Sequence, residues 1–173
     1  MNHADELLPF STKALSVWQS VLAKVPHLSE SKPVPTTIGI KVADQTALLA
    51  AVGRYFALGD QVHLGPVNGV RSIASIRKQT PLLGEIRFIK ILQRRPGRTD
   101  PLGPEHLDLL VPAQIRLETL CETIGAAGFD CELEKNDFHG WLSIRVEGIE
   151  FKLVHELVWE SCIKEMQQLL TVQ

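Results

Sequence analysis

The sequence predicts an α+β protein built from two successive β-α-β-β-β modules. Two short stretches, residues 36–42 and residues 106–111, lead to this prediction because apolar side chains alternate with other side chains in both. A period of two over so few residues is typical of a half-buried strand. Each stretch is followed by a helical pattern and then by further short alternating stretches. We therefore interpret the chain as two copies of one unit.

The first module starts with the strand at 36–42. Asp44 is the expected cap of the following helix, and Gly59 is its expected end, because glycine often follows the last helical turn. The dipeptide Asn68-Gly69 predicts a hairpin turn. Further strands are expected near residues 61–67, 70–79 and 85–92.

The second module repeats this plan after a linker at residues 94–101. The strand at 106–111 lies between Pro104 and Pro112 and leads to a helix at about 113–127, which Gly128 ends. Strands are then expected near residues 129–135, 141–147 and 150–155, with a turn at 136–140 and a closing helix at about 156–170.

The N-terminal part of the chain has a different pattern. Residues 2–8 and 11–25 are expected to be helical, with Pro9 separating the two pieces and Ser11 as the cap of the second. Residues 26–35, which are rich in serine, lysine and proline, are expected to be a linker. The predicted domains are therefore a helical segment at 1–33 and a paired domain at 34–173. Within the second, the modules span about 34–95 and 103–155.

The composition limits the classes of function. A net charge of −2 over 173 residues gives no case for nucleic-acid binding. No apolar run approaches the roughly 20 residues of a membrane span, and the N-terminus does not have the pattern of a leader peptide. The three cysteines have no metal-binding spacing. We expect reduced thiols and a cytoplasmic protein that does not bind membranes; the oligomeric state is left open.

The arrangement resembles the vicinal oxygen chelate superfamily, which includes glyoxalases, bleomycin-resistance proteins and extradiol dioxygenases. The stretch Phe88-Ile89-Lys90-Ile91-Leu92, residues 104–112 and the ending at residues 149–155 are similar to its small bacterial YecM-type branch. The resemblance covers residues 34–165. It implies that the two modules form a cupped, half-barrel mixed sheet around a cavity, with extra helices at both ends of the chain.

The resemblance also assigns metal-ligand positions, since the superfamily's metal takes ligands from the first and last strands of each module. These positions fall on Thr37, Lys90, His106 and Lys152, or on Phe88 in place of Lys90 if the register shifts by two. His106 is the one retained ligand type, because a lysine ammonium has no lone pair and repels a cation. We therefore expect a degenerate metal site and no cofactor.

The same strand parity predicts an anion-binding site. The residues expected to line the cavity are Thr37, Lys41, Arg77, Lys90, His106, Asp108, Arg145 and Lys152. Carboxylate and phosphate groups are natural partners of lysine and arginine, so the predicted ligand is a small anionic molecule. We expect Lys90, Lys152 and His106 to converge on one site, where Asp108 holds an ammonium in the absence of ligand. A register error of one residue would reverse these assignments.

Two other functions are consistent with the residues. The first is a divalent-metal isomerase, lyase or dioxygenase that combines His106 with ligands such as Glu85, Glu150 or His155. The second is an interaction or structural module in which the cavity has filled and the lysines are solubilising charges at strand ends. No spacing of serine, cysteine, histidine and acidic residues identifies a nucleophile, so catalytic residues are not assigned.

Overall fold

A computed structural model describes the backbone at residues 7–56, 61–67, 71–77, 82–135 and 140–155. In chain order the elements are α1 (Leu8–Lys24), α2 (Pro26–Glu30), β1 (Val34–Val42), α3 (Gln45–Phe56), β2 (Gln61–Val67), β3 (Arg71–Arg77), β4 (Phe88–Gln93), β5 (Gly103–Val111), α4 (Leu117–Ala126), β6 (Asp130–Lys135), β7 (Gly140–Val146) and β8 (Ile149–His155). The predicted fold class, with two β-α-β-β-β modules, is confirmed. The hairpin at Asn68-Gly69, the turn centred on 136–139, Gly59 and the closing helix lie outside the described residues.

The described chain divides into two compact units. The first contains the residues up to Lys13 and from Thr36 to His106, and the second contains Ala14–Pro35 and the residues from Leu107 onward. Strand β5 begins in the first unit and continues in the second. The division into segments 1–33 and 34–173 stays a prediction.

The first unit contains a mixed sheet in the strand order β2-β3-β4-β1. Strand β1 runs parallel to β4, whereas β2 with β3 and β3 with β4 are antiparallel. The isoleucine pairs Ile38 with Ile89 and Ile40 with Ile91 are in register and buried. Helix α3 packs on β3 and β4 and adds Leu48 to this core. Its cap is the predicted one, since the backbone N–H of Ala47 donates to Asp44 Oδ1 at 2.8 Å.

The second unit has an antiparallel sheet in which β7 lies between β6 and β8. Alternation gives this sheet an apolar and a polar face. The apolar face contains the buried side chains of Leu142, Ile144, Phe151 and Leu153. Helix α4 packs on β6 and β7, and the ring of Trp18 from α1 lies 5.2 Å from that of Phe151. The polar face carries six charged residues, which are Asp130, Glu132, Glu134, Arg145, Glu150 and Lys152.

Three boundary predictions were wrong. Ser11 is not the cap of the N-terminal helix, because α1 already begins at Leu8 and the hydroxyl of Ser11 donates to the carbonyl of Leu7; Pro9 lies in the first turn, where its missing N–H removes no helical hydrogen bond, and most of the predicted helix at 2–8 lies outside the described residues. The predicted linker at 26–35 contains α2, which begins at Pro26 and buries Leu28. Helix α4 begins at Leu117, not at residue 113, because the N–H of Ile115 bonds to the carbonyl of Pro112 in a turn.

Candidate functional site

The polar face of the first unit's sheet is set by the register of β1 and β4. Gly39 is paired with Lys90, and Thr37 is paired with Phe88 two residues earlier. Side chains of paired strand residues lie on the same face, and so do those two residues apart along a strand. Thr37, Lys41 and Lys90 therefore share one face, opposite the buried isoleucines.

His106 lies on this same face because its ring occupies the space above Gly39. A Cβ atom built on Gly39 would lie 1.8 Å from Cε1 and 2.0 Å from Nε2 of the imidazole. No real side chain fits at such distances, so only glycine at this position lets the ring pack on the strand. The ring is completely buried, with 0 % exposure. Gly39 thus creates a recess in β1 beside Lys90, and the imidazole fills it.

Glu105 connects His106 to Lys41. Its Oε1 lies 3.2 Å from His106 Nδ1, and its Oε2 lies 2.5 Å from Lys41 Nζ. An ionised carboxylate only accepts hydrogen bonds, so Nδ1–H is the donor in this contact. Lys41 also pairs with Asp100, since Nζ and Oδ2 are 3.3 Å apart. We call Lys41, Asp100, Glu105 and His106 the Lys41 cluster.

The sequence predicted a site lined mainly by cations, and the Lys41 cluster differs because it contains two carboxylates. Two carboxylates balance the ammonium of Lys41, which is itself largely buried. Glu105 and Asp100 were missed as site residues. The predicted strand began at 106, whereas β5 begins at Gly103 and includes Glu105; Asp100 lay in the predicted linker. The sequence signal for an earlier strand start was the glycine at 103, which adopts a positive φ of 105° at the first residue of β5.

The polar face of the second unit is centred on the carboxylate of Glu150. Ser143 Oγ donates to Oε1 at 2.5 Å, and Arg145 Nη2 lies 3.4 Å from the same atom. Lys152 Nζ lies 3.3 Å from Oε2 and 6.0 Å from the centre of the Trp141 ring. The strand register explains this group, because Ser143 is paired with Lys152 and Arg145 with Glu150.

Strand β6 adds further carboxylates to that face. Arg145 reaches Glu132 at 3.8 Å and Glu134 at 3.6 Å, in addition to Glu150. Asp130 is in register with Arg145. The arginine therefore lies among acidic side chains, and its charge is balanced within the second unit.

The predicted site residues are distributed over both units. Thr37, Lys41, Lys90 and His106 belong to the first unit and share a face, as the register shows. Asp108 and Lys152 belong to the second, where Asp108 is buried. Arg77 ends β3, and its side chain lies outside the described part of the structure. The convergence of Lys90, Lys152 and His106 on one site stays a prediction.

A divalent metal does not fit the donors that these positions supply. No group of three or more histidine, cysteine, aspartate or glutamate side chains suited to a metal occurs in the described part of the chain. Two of the four ligand positions implied by the resemblance carry ammonium groups, and Lys41 Nζ already occupies the space between the carboxylates of Glu105 and Asp100. An ammonium there repels a second cation.

The alternative metal ligands are also committed to other contacts or lie at the surface. His155 Nε2 lies 2.6 Å from the carbonyl oxygen of Ile115. Glu150 accepts from Ser143 and pairs with Arg145 and Lys152, and Glu85 is exposed to solvent. We derive no reaction step through a metal.

Comparison with solved structures identifies the fold. A structural-genomics protein named EC4020 superposes with a TM-score of 0.63 at 12 % identity, over 88 % of this chain and 87 % of that protein. Methylmalonyl-CoA epimerase from Mycobacterium tuberculosis gives a TM-score of 0.53 at 16 % identity, over 70 % of this chain and 87 % of the epimerase. The chain has the vicinal oxygen chelate fold.

Other comparisons agree with this fold or find nothing. The hypothetical protein BH1468 from Bacillus halodurans gives a TM-score of 0.51 at 15 % identity, over 72 % of this chain and 94 % of that protein. No protein-family model and no curated protein matches the sequence. The vicinal oxygen chelate resemblance is thus confirmed at the level of fold, and the YecM-type branch stays a prediction. No helix in the described residues is long and apolar enough to cross a membrane.

Proposed function

We propose that this vicinal oxygen chelate fold binds a small anionic molecule through Lys90, His106 and Thr37, without the divalent metal of the superfamily. The observation that carries the proposal is the buried imidazole of His106 on Gly39, directly beside Lys90 on the paired strand. This arrangement places the imidazole of His106 and the ammonium-bearing side chain of Lys90 on one polar face. Carboxylate and phosphate oxygens are the groups that such a pair binds best.

The Lys41 cluster supports the proposal by fixing the imidazole. Glu105 accepts from Nδ1 and is itself held by Lys41, so the ring has one orientation and one preferred tautomer. The completely buried ring therefore contributes to the proposed site through its fixed position on Gly39, beside Lys90.

Lys90 supplies the positive charge in this proposal. Its side chain is half-buried on β4, where it is paired with Gly39 of β1. An ammonium at a partly buried position interacts more strongly with an anion than one in bulk water does. Lys41 is assigned a positioning role, because Glu105 and Asp100 balance its charge.

We extend the proposal to Lys152, Asp108 and Arg77 as further ligand contacts. Lys152 lies on the polar side of β8, where its Nζ is 3.3 Å from Glu150 Oε2 and 6.0 Å from the centre of the Trp141 ring. Asp108 is proposed to hold an ammonium when no ligand is bound.

The class of ligand is a carboxylate or phosphate compound of small size. One solved protein with this fold is a methylmalonyl-CoA epimerase, and its name gives a carboxylate-bearing thioester as its substrate. The proposed anionic ligand of this chain agrees with the negative charge of that substrate. We also propose that the protein belongs to the YecM-type branch and works in the cytoplasm, on the basis of the stretches at 88–92 and 104–112 and of its unpaired thiols.

A binding screen tests the proposal. Malonate, succinate and inorganic phosphate are titrated into the protein, with thermal unfolding and calorimetry as readouts, because a ligand specific to the folded state raises its apparent stability. Lys90→Ala is expected to weaken binding about tenfold or more, since a hydrogen bond to a charged group contributes about 1.5–3 kcal/mol. Lys90→Arg should retain most of the affinity.

Lys13→Ala is the matched control, because Lys13 is an exposed lysine on α1. It is expected to leave every affinity unchanged. Equal weakening by Lys13→Ala and Lys90→Ala would mean a general charge effect and would contradict the site. A stoichiometric divalent metal in the purified protein that disappears with His106→Ala would overturn the metal-free part of the proposal.

A further inference from the structure

Two cysteines of the second unit lie on facing sides of the α4–β6 connection. Cys121 is on α4, four residues after Leu117 and three before Ile124. The side chains of Leu117 and Ile124 are both buried. Residues three and four apart share one face of a helix, so Cys121 belongs to the face that packs on the sheet. Cys131 is the second residue of β6 and is in register with the buried Ile144. It therefore points to the helix side of the sheet, away from Asp130 and Glu132.

These placements bring the two thiols together at the edge of the helix–sheet contact. Cys121 Sγ lies 3.7 Å from the carbonyl oxygen of Cys131, across the turn at Gly128. Both cysteines are free and half-buried. Partial burial, followed by the contact with Cys121, raises the pKa of the Cys131 thiol above its ordinary range. Cys131 thus stays protonated at neutral pH.

We propose that Cys121 and Cys131 are a reversible dithiol site, which closes to an intramolecular disulfide by exchange with a small oxidised disulfide such as glutathione disulfide. The proposal does not depend on the anion-binding function. The disulfide would join α4 to β6, and so tie the helix to the sheet whose opposite face carries Glu150 and Lys152.

The exchange takes place in two steps through a mixed disulfide. In the first, the thiolate of Cys121 attacks one sulfur of glutathione disulfide, which forms a mixed disulfide and releases one glutathione thiolate. In the second, Cys131 gives up its proton to solvent, and its sulfur attacks the Cys121 sulfur and displaces the second glutathione. The protein loses two hydrogen atoms, and one glutathione disulfide becomes two glutathione molecules. Cys121 is assigned the first attack because the raised pKa of Cys131 disfavours its thiolate.

The test uses the full chain, which has three cysteines, under native conditions. After equilibration with glutathione disulfide, the count of free thiols is expected to fall from three to one, with a mass loss of two hydrogen atoms and no retained glutathione. Proteolysis without reduction should give a linked peptide pair containing Cys121 and Cys131. A dithiol reductant should restore all three thiols.

Three single variants serve as controls. Cys162→Ser, at a position outside the described residues, should still close and lose both of its remaining thiols. Cys121→Ser and Cys131→Ser should each keep an uncapped or glutathione-capped partner cysteine and form no internal disulfide. A linked peptide that contains Cys162, or stable glutathione adducts on wild-type Cys121 without closure, would overturn the proposal. Peptide mapping of the wild type shows whether the Cys121–Cys131 disulfide forms even if a serine variant folds poorly.

Discussion

The two units build their polar sheet faces from different kinds of contact. In the first unit a completely buried imidazole and a largely buried lysine share one glutamate, and the second carboxylate on that lysine is 59 residues away in the chain. In the second unit the charged groups are neighbours on two strands of a hairpin, and Arg145 is half exposed. The same module topology therefore carries a long-range buried network in one case and a local surface ladder in the other.

The buried contacts of the first unit and the exposed ion pairs of the second should respond differently to substitution. A buried polar group needs defined partners, and losing one of them costs the desolvation of the group that remains. Exposed ion pairs exchange readily for water and contribute little. The first unit's face is thus the one in which single substitutions should have large and specific effects, and the second unit's face should tolerate them.

The largest effect is expected for Gly39→Ala. Its new Cβ would overlap the His106 ring at 1.8–2.3 Å, so the ring or the strand must move. Forcing extra volume into a packed site commonly costs about 1–3 kcal/mol, and we expect about 3 kcal/mol in the free energy of unfolding measured with urea.

Gly53→Ala is the matched control, because a Cβ at this exposed position of α3 meets nothing within 4 Å. It should stabilise the protein by up to about 1 kcal/mol, as alanine is favoured over glycine within a helix. The double variant Gly39→Ala with His106→Ala should lose less than the sum of its single variants, because removing the ring opens the space. Additive losses would mean that the ring does not cause the clash.

A smaller effect is expected for Glu105→Gln, compared with Glu150→Gln in the second unit. The first substitution removes the charge that faces both Lys41 and His106, and we expect a loss of about 2 kcal/mol. The second leaves a side chain that can still accept from Ser143, so its loss should be under about 1 kcal/mol. Equal losses in urea unfolding would remove the distinction between the two faces.

The sequence was sufficient for those features that depend on alternation. The set Thr37, Gly39 and Lys41 was placed on one strand face from period-two spacing, and the register agrees. The cap at Asp44 and the helix end at Gly128 were also predicted from local chemistry and confirmed. Such features need only neighbours in the chain, which is why they can be read without a structure.

Long-range partners could not be predicted in the same way. Lys41 was taken as an unbalanced cation because Asp100 and Glu105 reach it only when β5 lies beside β1. Gly39 was one member of an alternating set, and nothing local indicates that it makes room for a ring 67 residues later in the chain. Both features depend on which strands become neighbours, and the periodicity of one strand does not contain that information.

The smallest effect is expected for Arg145→Ala on the second unit's face. Arg145 is 50 % exposed and contacts Glu132, Glu134 and Glu150 at 3.4–3.8 Å, so each pair is screened by solvent. We expect a loss of under about 0.5 kcal/mol in urea unfolding, and the difference from wild type should shrink further as salt is added.

The paired measurement is Lys41→Met in the first unit, which leaves Glu105 and Asp100 without their shared ammonium and should cost more than Arg145→Ala at every salt concentration. A cost for Arg145→Ala that matches or exceeds that of Lys41→Met would show that the second unit's ladder, and not the buried network of the first, is the electrostatic centre of the molecule.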